Sequence, residues 1–331
     1  MSALSGSRVL ITGGAGLVGS HIADKLIDEG VSEIVIIDNF TRGTERNLEE
    51  AGSRGHITLH RGDIRDRAAV SRVMQGIDYV FHQAALRITQ CAETPRECVE
   101  VLIDGTFNVL EAAVAAKAKK VLFASSASVY GLADVFPTPE THHLYHNQTL
   151  YGGAKVAGEQ MLRAFHQMYG LDYVALRYFN IYGPRMDIYG VYTEVMIRWI
   201  DCIERGESPA IFGDGSQTMD FVYIEDVAVA NILAAKSKAT DEVFNVASGE
   251  ETSLLQLLET LLKVTGAELR PVFKPERSVN PVRRRLASTE KAERLLGFRS
   301  TVGLEEGLRR LVEWKRRNSA EASAVTQQIA S

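Results

Sequence analysis

Along the first half of the chain, short apolar runs alternate with stretches of helical spacing. Residues 8–12 form a β-rich run. Residues 19–29 carry apolar positions at helical intervals and stop at Gly30. The same reading predicts strands over 33–38, 57–60, 79–81, 120–125 and 173–177. It predicts helices over 67–74, 97–116 and 150–169. The strand-like runs are nearly continuous in apolar residues (Ile34, Val35, Ile36, Ile37) instead of alternating, as expected of strands buried on both faces. Strands that alternate with helices predict an α/β fold, a doubly wound parallel sheet. After Asn180 the pattern loses its period. Gly183-Pro184, Gly206, Pro209 and Gly213-Asp214-Gly215 interrupt it. Helices are still predicted over 194–204, 254–263 and 304–316, a surface loop over 270–285, and a small, polar, disordered tail over 318–331. The expected organisation is a first region over 1–180, a smaller α/β substrate-binding region over 181–317 with some chain returning to the first, and the tail.

Composition narrows the class. The chain has 331 residues, 45% of them hydrophobic and 24% charged, with net charge −5. That length buries a substantial core. The acidic balance argues against nucleic acid as partner, and Arg283-Arg284-Arg285 has no interleaved aromatics to suggest otherwise. No run reaches the roughly 18 apolar residues of a membrane span, and no secretory signal is visible, so a cytoplasmic protein with no membrane partner is expected. The three cysteines, Cys91, Cys98 and Cys202, fit no metal motif. They are expected as unlinked, small, half-buried side chains in a reducing compartment, and no metal is expected.

The chemistry begins after the first strand, where Thr12 runs into Gly13-Gly14-Ala15-Gly16-Leu17-Val18-Gly19. Glycines permit a tight turn, a close backbone approach to pyrophosphate and close helix–strand packing. The helix N-terminus beyond them offers free N–H groups to phosphate. Asp38 closes the second strand about 20 residues on, where an acidic residue accepts hydrogen bonds from ribose hydroxyls. Gly13, Gly16, Leu17, Val18, Gly19, Asp38 and Asn39 are therefore candidate cofactor-binding residues. An anion at Asp38 repels a 2′-phosphate, so NAD is favoured over NADP, a preference Arg42 nearby would soften.

A second constellation lies downstream. Tyr151 and Lys155 are four apart on a predicted helix and share a face. A cation beside a phenol stabilises its phenolate and lowers a pKa that is ordinarily near 10. Ser126 ends a strand upstream, at the edge where open α/β sheets bind ligands. Ser126, Tyr151 and Lys155 are the candidate catalytic residues.

With these pieces in place, the chain resembles the extended short-chain dehydrogenase/reductases, in their NAD-dependent nucleotide-sugar epimerase/dehydratase branch with its Rossmann-type fold. The resemblance rests on Thr12–Gly19, Gly62-Asp63, Phe81-His82-Gln83-Ala84-Ala85, Ser125-Ser126-Ala127-Ser128-Val129-Tyr130-Gly131, Tyr151 with Lys155, Arg177-Tyr178-Phe179-Asn180, Tyr182-Gly183-Pro184-Arg185, and Gly213-Asp214-Gly215 with Asp220-Phe221. These run in family order from about residue 8 to 300. The resemblance implies that Asp63 and Ile64 flank the adenine and that Ala84 and Ala85 line the phosphate and ribose path. It also implies that Asn180 touches a nucleotide-sugar diphosphate, and that the loop from Gly213 and arginines from Arg277 to Arg285 wrap the nucleotide. Arg87, Ser126, Ser128, Tyr151, Asn180, Arg185, Gln217 and Arg283 are thus candidate substrate contacts.

Related dehydratases carry an Asp-Glu pair just after the catalytic hydroxyl residue. Ala127 and Ser128 stand there, and the run is more like UDP-glucose and UDP-glucuronate 4-epimerases. The expected reaction is 4-epimerisation of a UDP-sugar, with a UDP-glucuronate decarboxylase or a dehydratase as alternatives. A dinucleotide-sensing binding protein would typically lose the Tyr or Lys that this chain keeps. Two departures stand out: Met219 where many relatives have Arg, and Leu102 where many have Asn. Helices 97–116 and 150–169 correspond to the pair that forms a homodimer interface in the family, so a homodimer is expected.

Overall fold

In the computed structural model, residues 2–188, 194–276 and 282–330 are described, with side chains as far as residue 318. In chain order the elements are β1 (Arg8–Thr12), α1 (Leu17–Asp28), β2 (Glu33–Asp38), α2 (Glu49–Arg54), β3 (Ile57–Arg61), α3 (Arg67–Val73), β4 (Tyr79–His82), α4 (Ile88–Glu93), α5 (Pro95–Val99), α6 (Thr106–Ala115), β5 (Lys120–Ser126), α7 (Leu150–Tyr169) and β6 (Tyr173–Tyr178). The second half supplies β7 (Asn180–Tyr182), α8 (Val195–Glu204), β8 (Ala210–Phe212), β9 (Thr218–Met219), β10 (Phe221–Tyr223), α9 (Ile224–Lys236), β11 (Glu242–Val246), β12 (Thr252–Ser253), α10 (Leu254–Thr265), β13 (Val272–Lys274), α11 (Glu290–Leu296) and α12 (Leu304–Ala330).

Seven strands form one parallel sheet in the order β11-β6-β5-β4-β1-β2-β3. Side chains alternate across it. Val9, Ile11, Ile34 and Ile36 face one layer, which holds α1 and α9. Leu10, Val35 and Ile37 face the other, which holds α3, α6 and α7. Each fully buried Leu, Ile or Val contributes about 1.5–3 kcal/mol of transfer free energy. The strands therefore read as continuous apolar runs because both faces are covered. The order of strands reverses between β1 and β4, which opens a crevice at their carboxyl ends.

The second half is divided. α9 and β11 return to the large sheet, β11 pairing with β6 from Glu242↔Val174 to Val246↔Tyr178. The rest builds three two-stranded ribbons, β10-β7, β12-β9 and β13-β8, over the carboxyl end of the sheet.

Four expectations are corrected. Residues 97–116 are not one α-helix: Glu100–Gly105 is a π-helical stretch between α5 and α6. A Cβ on Gly105 would lie 2.7 Å from Ile64 Cδ1, so the wide turn brings backbone against that side chain. Cys91 and Cys98 are joined by a disulfide. Pro95 starts a new helix, and the two short helices fold back so that the Cα atoms stand 4.9 Å apart, which a continuous helix would forbid. Cys202 remains a free thiol. The tail is helical to Ala330: it is polar, but after Gly307 it contains neither Gly nor Pro, and its alanines favour helix. Finally, α9 and β11 replace the unpatterned stretch after the Gly213 loop.

Candidate active site

The crevice holds a cavity of about 930 Å³, at the upper end of small-molecule sites. One wall is the glycine turn. Gly13 has φ +68°, and a Cβ there would stand 2.8 Å from the backbone of Ala84. A Cβ on Gly19 would stand 2.4 Å from the Gly13 carbonyl oxygen. No side chain caps α1 at Gly16, so the first-turn N–H groups of Leu17, Val18 and Gly19 face the cavity they help to line. Asp38 is 8% exposed. Its carboxylate accepts the Ala15 N–H at 3.0 Å and the Phe40 N–H at 2.8 Å. Burial raises its pKa, opposed by those two hydrogen bonds. Asp63 is held down to about 2, chiefly by its hydrogen bond with Arg65, and it also accepts from Asn39 at 2.8 Å. Asp63, Ile64, Ala84 and Ala85 line the same wall. A backbone cradle that side chains would block, with the Asp38 carboxylate beside it, fits a dinucleotide.

The far end of the cavity holds the reactive groups. Ser126 is the last residue of β5 and Tyr151 sits in the first turn of α7, whose N-cap Thr149 accepts the Gly152 N–H at 3.1 Å. The Ser126 hydroxyl accepts the Ser128 N–H at 3.1 Å and lies close enough to the Tyr151 phenol to favour its ionised form. Lys155, one turn on, is buried; its ammonium donates to the Ala124 carbonyl at 2.6 Å. Burial pulls the Lys155 pKa down to about 8, with Glu159 opposing. Burial pushes the Tyr151 pKa up, opposed first by the Ser126 hydroxyl and then by the fields of Arg42 and Arg285. Arg42 and Arg285 thus add to the cations around the phenol, and the Lys155 ammonium stands 5.8 Å from the Tyr151 ring centroid. Arg42 is itself depressed to about 10 by burial and by Arg87, and Arg285 to about 10 by burial.

The expected substrate contacts divide. Arg87, Ser128 and Asn180 line the cavity, as does Met219. Arg185 also lines it, with its guanidinium paired with Asp24 of α1 at 2.6 Å and Glu50 of α2 at 3.2 Å. Gln217 and Arg283 are not part of the lining. Gln217 donates to the Phe212 carbonyl, and Arg283 pairs with Glu276 on the surface. The arginine of that run that enters the site is Arg285, which donates to the Ala127 carbonyl at 2.6 Å. Register explains it: Arg283 and Arg285 flank Thr218 in backbone pairing, and the chain then turns so that Ala287 meets Asp220. Arg277 lies outside the described residues. Leu102 is buried beside the cavity wall that Val101 forms.

Sequence spacing missed the support behind the trio. Arg177 on β6 makes a two-pronged, buried ion pair with Glu159 on α7, at 2.9 and 2.7 Å, and also donates to the Tyr130 hydroxyl at 2.9 Å. Ser125, beside Ser126, donates to the same Glu159 carboxylate. The neutral, buried His82 lies below; desolvation pulls it down to about 3, and it sits between Thr12 at 2.7 Å and Thr106 at 3.1 Å.

The NAD dependent epimerase/dehydratase family model matches residues 9–247, which include the glycine turn, Asp38, Ser126, Tyr151 and Lys155 but not Arg285. The chain belongs to the NAD-dependent epimerase/dehydratase family. It is 37% identical to the Thermotoga maritima UDP-glucose 4-epimerase solved with UDP-glucose, over 94% of this chain and 99% of that one, with a TM-score of 0.88. It is 35% identical to the UDP-N-acetylglucosamine 4-epimerase of Methanobrevibacter ruminantium, solved with UDP-N-acetylmuramic acid, over 95% and 99% with a TM-score of 0.89. It is 33% identical to a UDP-N-acetyl-α-D-glucosaminuronate decarboxylase of Bacillus cytotoxicus, over 93% and 98%. NAD is the family's cofactor, and the glycine cradle and Asp38 accommodate it.

Proposed function

We propose that this member of the family is an NAD-dependent 4-epimerase of a UDP-sugar, either UDP-glucose/galactose or UDP-glucuronate/galacturonate. The observation that carries the reading is the meeting of Ser126, Tyr151 and Lys155 in the cavity that the dinucleotide cradle opens into, with Ala127 and Ser128 following in place of carboxylic acids. A dehydratase needs an acid there to expel a hydroxyl; an epimerase needs only a proton shuttle. NAD supplies a hydride acceptor that returns the hydride to the same carbon. Tyr151, as phenolate, takes the 4-hydroxyl proton. Ser126 donates to the oxygen that loses it. Arg42 and Arg285 hold the phenolate against burial. Lys155, fixed on Ala124, positions α7 and the cofactor ribose. The 4-keto sugar then presents its opposite face, and Tyr151 returns the proton. Arg87, Ser128 and Asn180 are the proposed sugar and diphosphate contacts.

Decarboxylation of a UDP-uronate is the second reading, because it shares the C4 oxidation and because Arg42, Arg87 and Arg285 converge on the sugar end. Incubation with UDP-glucose, UDP-glucuronate and their N-acetylated analogues, with products identified by NMR, separates the two. Inverted C4 supports epimerisation. Carbon dioxide release supports decarboxylation, loss of water a dehydratase, and no change in any of them defeats the enzyme reading. The working unit is proposed to be a homodimer through α6 and α7, where Phe107 is 45%, Met168 68% and Tyr169 55% exposed.

A further inference from the structure

Just outside the cavity, the segment between β5 and α7 carries four histidines and aspartates that the proposed reaction does not use. Asp134, His143 and His146 each offer one ligand-type atom, and these atoms lie within 4.8 Å of one another. His143 Nε2 stands 3.9 Å from Asp134 Oδ2. The rings of His143 and His146 meet edge to face, with centroids 4.5 Å apart. We propose that Asp134, His143 and His146 form a structural site for a divalent cation of the Zn²⁺ class, which bolts the loop after β5 to the segment leading into α7.

Three features support a metal over a casual cluster. The donor set, two imidazoles and one carboxylate, is the type that Zn²⁺ takes in preference to harder ions. The carboxylate is already placed: His142 is buried, and its ring lies between Asp134 Oδ1, 2.7 Å from Nε2, and the His143 carbonyl, 2.7 Å from Nδ1. Such a partner on the far oxygen is how ligating carboxylates are commonly held, and it leaves Oδ2 toward His143. His143, by contrast, has a buried Nδ1 with no hydrogen-bond partner, so no hydrogen bond from that nitrogen resists its rotation. Bonds of about 2.0–2.1 Å in a tetrahedral site place donor atoms about 3.4 Å apart. A contraction of roughly 1.4 Å in exposed side chains closes the site, with a water in the fourth position.

The site's place in the chain gives it a purpose. The His146 carbonyl accepts the Leu132 N–H at 3.1 Å, and Gly131 packs so closely on it that a Cβ would stand 2.0 Å away. Asn147, next along, donates to the Ser128 carbonyl at 2.7 Å, and Thr149 caps α7. A cation joining Asp134 to His143 and His146 therefore braces the joint between the Ser126 turn and the Tyr151 helix without touching substrate.

The test uses the whole chain without an affinity tag, stripped by chelator and titrated with Zn²⁺ in a calorimeter and with Co²⁺ by visible absorption. The proposal expects one equivalent of Zn²⁺, four-coordinate Co²⁺ bands and a Tm that rises with Zn²⁺. His143→Ala and His146→Ala should each weaken binding by at least the roughly 10–100-fold that loss of a mere supporting contact brings at metal sites. His60→Ala, an exposed histidine on β3, should leave it unchanged. Should either alanine variant fail to fold, Asp134→Asn and His143→Gln carry the same expectation. Absence of stoichiometric binding, or binding indifferent to these changes, overturns the proposal.

Discussion

Ser126→Ala separates two roles that the Ser126 hydroxyl can play. Burial raises the Tyr151 pKa, and the Ser126 hydroxyl is the largest opposing influence. Only the phenolate accepts a proton, so kcat/KM should rise with pH until Tyr151 is ionised. Loss of a hydrogen bond to the charged form moves that rise to higher pH. A hydrogen bond to a charged group is worth about 1.5–3 kcal/mol. At 1.36 kcal/mol per tenfold, the phenolate fraction at a fixed neutral pH falls roughly 10- to 150-fold. The assay is the pH profile of kcat/KM for wild type, Ser126→Ala and Ser128→Ala. Ser128 lines the cavity, and its N–H donates to Ser126 without its side chain reaching the phenol, so its profile should keep the wild-type position. A Ser126→Ala profile that drops in height but does not move along the pH axis would refute electrostatic assistance and leave Ser126 as a sugar contact alone.

Gly19→Ala should abolish bound NAD in the purified protein, measured by absorbance of the released nucleotide, because its Cβ would meet the Gly13 carbonyl at 2.4 Å and backbone cannot yield there. Glu159→Ala should lower unfolding free energy by about 3–5 kcal/mol in urea, since it strands the buried Arg177 guanidinium; a loss under 1 kcal/mol would contradict that. Reduction of Cys91–Cys98 should raise titratable thiols from one to three and, by loop-closure entropy for a seven-residue separation, lower stability by about 2–3 kcal/mol in denaturant melts. Arg285→Met should, like Ser126→Ala, move the pH profile upward, whereas Arg283→Met should not move it.

The sheet was legible because its strands are apolar on both faces, a pattern that survives without any tertiary information, and the glycine turn because no other residue permits its geometry. α9 escaped notice for the opposite reason. Its residues from Ile224 to Ala235 are buried almost all round, so no polar stripe marks a helical period. At the site, Ser126, Tyr151 and Lys155 were visible from their spacing. The arginines were not, because which of Arg283, Arg284 and Arg285 enters the cavity depends on pairing with Thr218, a long-range register. The ion pairs of Arg185 were not legible either, because its partners, Asp24 and Glu50, lie over a hundred residues away in sequence. The disulfide was not legible because Cys91 falls where no element is predicted, and its approach to Cys98 depends on the chain folding back at Pro95.

The pairing of β11 with β6 has a bearing on how the chain comes to be made. Until Val246 has left the ribosome, about three quarters of the way along, β6 presents a bare, apolar edge to solvent, and α1 lacks the α9 surface against which it packs. An unpaired strand edge of that kind recruits neighbours indiscriminately. The nucleotide half is therefore no detachable module. A truncated chain ending near residue 180 is expected to expose that edge, and the catalytic crevice is complete only once β11 and the substrate ribbons have been made.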